Sequence, residues 1–194
     1  MSRPSAALLA VAAAAQAPLY PVARAQEVSA PRLILGIDPG LSGALAFLTP
    51  STGALTVLDV PTFTLGRNGK AKREVDAVEL ARLVDAAVHI DHAFVEQVGA
   101  MPGQGVSSVF AFGKVYGLLL GILAANSIPH TLVTPQKWKR ALSVPAEKDG
   151  ARARASQLMP AHAGQWTRIK DDGRAEAALI AYYGATLENH HAHD

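Results

Sequence analysis

The chain contains no cysteine among its 194 residues, which excludes disulfides and thiolate metal sites and fits a reducing compartment. No run is read as reaching transmembrane length, so no membrane partner is expected. Charge imbalance is also missing: the formal net charge is only +2, at a computed pI near 9, so the whole-chain balance says little about partners. No internal repeat is visible, and the length predicts one domain with a full core. Acids are absent before Glu27, where Arg3 and Arg24 are the only charges and residues 6–15 are almost purely Ala, Leu and Val. Residues 1–31 therefore read as an extension of signal, transit or upstream-start type, residues 32–188 as the folded domain, and residues 189–194 as a His-rich tail. The expected compartment is the bacterial or phage-infected cytoplasm, with a plastid or other organelle as the alternative.

What is present is basic charge in clusters. Arg67, Lys70, Lys72 and Arg73 fall in one short stretch read as a loop, followed by Lys137, Lys139 and Arg140, then Lys148, Arg152 and Arg154, then Arg168, Lys170 and Arg174. Each cluster alone is ordinary solvated surface, whereas four together point to nucleic acid.

The apolar stretch Ile34-Leu35-Gly36-Ile37 is continuous, as in a strand buried on both faces, yet it ends in Asp38 followed by Pro39-Gly40. Either Asp38 caps the turn or it is held at the strand end for chemistry. Strands over 33–38, 44–49 and 54–60 follow one another closely, as in an antiparallel meander. Asp76 with Glu79 three later opens an amphipathic helix. Ala93-Phe94-Val95-Glu96 is a short strand that again ends in a carboxylate, and a Gly-rich loop over 99–105 leads into a long apolar helix over 106–126. A strand over 129–133, a Trp138-containing helix opened by Pro135, and helices over 148–159 and 173–187 complete the order. This succession predicts an α/β fold: a mixed five-stranded sheet with helices on both faces.

Acids at the carboxyl ends of such strands lie where ligands bind. At about 100° per residue, Asp172 and Glu176 share the apolar face of the last helix with Leu179, Ile180 and Tyr183, while Asp171 lies well round it. Asp171 or Asp172 as N-cap is the bland alternative, and it leaves Glu176 unexplained. Two carboxylates about 4 Å apart repel by roughly 4 kcal/mol at an effective dielectric of 20, so the cluster requires a cation. Oxygen donors without His or Cys favour Mg²⁺ or Mn²⁺, and two such ions suit in-line phosphodiester displacement.

Gly36-Ile37-Asp38-Pro39-Gly40 with Ser42-Gly43, Val95-Glu96-Gln97, Gly113-Lys114-Val115-Tyr116-Gly117 and the terminal acid pair together resemble RuvC-type Holliday junction resolvases of the RNase H-like fold. Thr134-Pro135 with Trp138-Lys139-Arg140, Lys148-Asp149 and Lys170-Asp171-Asp172-Gly173-Arg174-Ala175-Glu176 resemble the branch that contains the chloroplast resolvase. The resemblance implies a homodimeric, Mg²⁺-dependent endonuclease making paired nicks in four-way junction DNA, with two ions per site. It implies Asp38, Glu96, Asp172 and Glu176 as metal ligands, with Asp171 the rival of Asp172, and Lys148 facing the scissile phosphate.

Expected DNA contacts are Arg67, Lys70, Lys72, Arg73, Gln104, Lys114 and Lys139, with Met101 as an apolar wedge between base steps. Trp138 reads as a core anchor, and the helix around Phe110 to Leu123 as a buried helix or a dimer face. Competing readings are a non-catalytic junction binder, a nuclease of the same fold acting on hybrids or flaps, and an actin-like ATPase. The last shares a Gly-x-Asp-x-Gly strand end but needs a second lobe for which the chain is too short.

Overall fold

In the computed structural model the described residues are 32–67, 70–87, 89–99, 103 and 105–191. Strands β1 (Ile34–Asp38), β2 (Ala44–Thr49) and β3 (Ala54–Asp59) form the expected meander, and β6 (His92–Glu96) and β7 (His130–Val133) extend the sheet in parallel. Its order is β3-β2-β1-β6-β7, the mixed five-stranded sheet that the sequence predicts. The stretch over 67–73 is no loop, however. Its described residues belong to a two-stranded hairpin of β4 (Thr62–Arg67) and β5 (Lys70–Val75), with Arg67 paired to Lys70. The intervening Asn68-Gly69 is a strong hairpin signal that the density of positive charge hides.

The period-two alternation of strand side chains divides the core. Leu35, Ile37, Leu45, Ala93 and Val95 face a cluster closed by α1 (Ala77–Asp85) and α2 (Val106–Ala125). Ile34, Ala44, Ala46, Phe94 and Val133 face the opposite cluster, closed by α3 (Pro135–Ala141), α4 (Gly150–Leu158) and α5 (Asp172–His191). Helix α1 begins where expected because the Asp76 carboxylate accepts the backbone N–H of Glu79 at 3.0 Å.

Helix α5 lies close against β1 because the facing residues are small. Ala175, Ala177, Ala178 and Ala181 are all fully buried, and a Cβ on Gly36 would collide with the backbone of Ala177 and Ala181. That close approach decides how far a carboxylate on α5 stands from one at the end of β1.

Helix α2 corrects one expectation. Its 20 residues are long and apolar enough to cross a membrane by length and composition, and only Lys114 breaks the run. One side of it, Val115, Leu119, Ile122 and Leu123, is packed into the core; Val106 and Phe110 at its start are 86% and 75% exposed.

Candidate metal centre

Asp38 and Glu96 end neighbouring parallel strands, since Ile37 of β1 pairs with Val95 of β6. Both occupy even positions with Ile34, Gly36 and Phe94, so both carboxylates project toward the α5 side. Glu176, one turn into α5, meets them there. One oxygen from each of Asp38, Glu96 and Glu176 lies within 4.8 Å of the others. Asp38 thus stands beside two other carboxylates and not alone at its turn. Its place is fixed from behind by Gly173, where a Cβ would run into the Asp38 carboxylate and the Ser42 carbonyl.

Two neighbours in α3 complete the arrangement. The Trp138 indole, fully buried as a core anchor, donates its N–H to Glu96 Oε1 at 3.0 Å. Lys139 places its Nζ 2.6 Å from Glu176 Oε1 and 5.1 Å from the centre of the Trp138 ring, within cation–π range.

Burial pushes the Asp38 carboxyl up to about 8, with Glu176 and then Glu96 adding to the rise and Lys139 opposing it. Glu96 is raised as well, by burial and by Glu176, against the Trp138 hydrogen bond and Lys139. One ammonium thus faces three carboxylates, and the remaining negative charge is relieved by holding a proton on Asp38. The donor set is all oxygen, converges on one point and lacks positive charge, so it fits a hard divalent cation such as Mg²⁺ or Mn²⁺.

No protein-family model matches the chain, and no curated protein matches it in sequence. Solved structures do match in shape. Thermus thermophilus RuvC in complex with a Holliday junction substrate aligns at TM-score 0.50 and 16% identity, over 81% of this chain and 95% of that one. The yeast mitochondrial Holliday junction resolvase Ydc2 aligns at TM-score 0.53 and 15% identity, over 84% of this chain and 83% of that one. The fold is RuvC-like.

Within this RuvC-like fold the other expected site residues fall in different places. Asp172 is not in the acid cluster: it begins α5 and its carboxylate accepts from Arg152 Nε at 2.8 Å, an ion pair that turns it toward α4. Asp171 is occupied too. It is buried at 4% exposure, accepts the Arg168 backbone N–H at 2.9 Å and the Arg168 guanidinium at 2.7 Å, and is held below the usual carboxylate range chiefly by that guanidinium. Lys148 is exposed and forms no ion pair among the described residues.

The expected DNA contacts also divide. Lys114 and Lys72 both hold Glu74 of β5, whose carboxyl is lowered to about 2, mainly by the hydrogen bond from Lys114. Lys114 thereby ties the hairpin to α2, and Lys72 pairs with Glu74 within β5. Arg73 reaches back to the Leu41 carbonyl and to Thr62 Oγ1. Lys139 belongs to the acid cluster. Met101 and Gln104 lie outside the described residues, as do the side chains of Arg67 and Lys70. Sequence reasoning missed the Trp138–Glu96 hydrogen bond and the Lys139–Glu176 pair. Their adjacency in Trp138-Lys139 just after β7 is the available signal, because β7 pairs with β6 at Glu96 itself.

Proposed function

We propose that the chain is a divalent-metal-dependent endonuclease that resolves four-way DNA junctions by paired symmetric nicks, akin to the branch of RuvC-type enzymes that includes the chloroplast resolvase. The observation that carries this reading is the convergence of Asp38, Glu96 and Glu176 at the strand ends of a RuvC-like fold. Two Mg²⁺ ions held there would supply an activated water and charge stabilisation at the leaving 3′-oxygen.

The chain's own residues do the positioning. Trp138 fixes the orientation of Glu96, and α5, drawn in by Gly36, sets the reach of Glu176. Lys139 balances part of the acid charge until a metal replaces it. Lys148, free of acidic partners among the described residues, keeps its charge for the scissile phosphate.

A homodimer presents two equivalent sites to the two strands of a junction. Support for one comes from α2, where Val106, Phe110, Gly113, Gly117 and Gly121 share an exposed stripe, and a Cβ on any of these three glycines would meet nothing within 4 Å. An apolar start and a glycine track let a second helix approach closely.

Incubating the purified protein with Mg²⁺ and a synthetic four-way junction, an RNA–DNA hybrid or a flap tests the reading. Selective cutting of the junction supports it, whereas preferred cutting of hybrid or flap moves the protein to another nuclease activity of the same fold.

A further inference from the structure

A cavity of about 320 Å³ lies on the other side of the loop that follows Asp38, lined by Ser42, Asp59, Thr62, Arg73, Arg168 and Lys170 among others. Its two acids are already neutralised. Asp171 is held by Arg168, and Asp59 accepts from Arg174 Nε at 2.5 Å. Arg73 and Lys170 are different. Among the described residues Arg73 bonds only to neutral oxygens, Leu41 O, Ser42 Oγ and Thr62 Oγ1, and Lys170 has no ion pair. The cavity therefore holds two uncompensated cations beside a hydroxyl, which is the chemistry of a phosphate site.

Its position gives that chemistry a purpose. The wall formed by Ser42 and Gly43 is shared with the metal centre: the Ser42 carbonyl and the Asp38 carboxylate both abut Gly173. We propose that this cavity binds a backbone phosphate of the cleaved strand adjacent to the scissile one, through Arg73 and Lys170, and so sets the register of the strand over the acid cluster. The proposal rests on the junction-nuclease reading. The sequence offered Arg73 as a DNA contact within a supposed loop, and Lys170 within a basic cluster and the motif around Asp171 and Asp172; the hairpin brings Arg73 across to the loop after β1.

The test is a neutral-linkage scan. Junctions carrying one methylphosphonate at successive positions around the cleavage point are bound, with Ca²⁺ in place of Mg²⁺, by the full chain and by Arg73→Gln and Lys170→Gln. Wild type should lose affinity by about tenfold at one linkage next to the scissile phosphate, and each variant should lose affinity for the unmodified junction while becoming indifferent to that linkage. The salt dependence of each variant should flatten by about one unit of slope. A neutral-linkage profile identical in wild type and both variants overturns the subsite while leaving junction cleavage standing. No junction binding by wild type overturns the nuclease reading, and the subsite with it. Lys170 makes no structural bond among the described residues, so Lys170→Gln decides the matter even if Arg73→Gln unfolds. Inorganic phosphate that competes as well as an oligonucleotide would make the cavity a free-anion site and would also overturn the proposal.

Discussion

Lys139 Nζ lies 2.6 Å from Glu176 Oε1, inside a cluster whose other members, Asp38 and Glu96, are both raised by burial and by Glu176. Among the described residues the lysine is the one cation bonded to any of the three acids, through Glu176. A divalent ion that binds them competes with it for Glu176.

Lys139→Met should accordingly tighten Mn²⁺ binding by about tenfold, since a hydrogen bond to a charged group is worth roughly 1.5–3 kcal/mol and part of that is regained by solvation. The same change should lower the melting temperature of the metal-free protein, where Glu176 then loses its cationic partner. Calorimetric titration with Mn²⁺ and melting in chelator check both. Unchanged metal affinity would show that Lys139 does not occupy the metal's place.

The Asp38 shift has a definite sign in stability. With its carboxyl at about 8 in the folded chain against 3.8 for the free side chain, the native state keeps a proton that the unfolded chain has released between pH ~4 and ~8. Its contribution is fully present below pH ~4 and lost as pH rises through ~8. Metal-free protein unfolded by urea should thus grow less stable from pH 5 to 8.5, and Asp38→Asn should shrink that slope. Metal binding should release protons at pH 7. A stability that rises over this range would contradict the electrostatics of the cluster.

How much of this was legible in the sequence depended on the kind of signal. Asp38 and Glu96 were readable because each ends an apolar strand, and parallel strands put such ends side by side. Glu176 was readable from helical spacing. The same spacing put Asp172 on that face, yet its carboxylate pairs with Arg152 of α4, because helical spacing says which face a residue occupies and nothing about a cation on another helix. The hairpin of β4 and β5 was masked by its charges, and the engagement of Lys114 with Glu74 joins residues 40 positions apart, beyond any local pattern.

The roles of the two aspartates can be separated by experiment. Asp171→Asn should destabilise the fold by about 1–3 kcal/mol, the cost of weakening a buried charged hydrogen-bond set. Asp172→Asn, at a partly exposed ion pair, should cost about 1 kcal/mol or less and leave Mn²⁺ affinity close to wild type. Thermal melts and Mn²⁺ titrations of the two variants decide it; a collapse of metal affinity in Asp172→Asn alone would return Asp172 to the ligand set.

The exposed stripe on α2 predicts that Phe110→Asp or Gly117→Leu converts a dimer to a monomer without lowering the melting temperature by more than a few degrees, because neither side chain is in the core. Light scattering of the three proteins measures this. A wild-type monomer, both free and on a junction, would refute the dimer.

The central claim, that Asp38, Glu96 and Glu176 form the metal centre of a junction-cutting nuclease, is tested most directly by mapping strand breaks in an immobile four-way junction at nucleotide resolution, with wild type and Glu176→Gln side by side. The account predicts symmetric nicks on two opposing strands with wild type and Mg²⁺, none in chelator, and none with Glu176→Gln, which should still bind the junction because losing a carboxylate lowers repulsion toward phosphate. Symmetric nicks that persist with Glu176→Gln would contradict it.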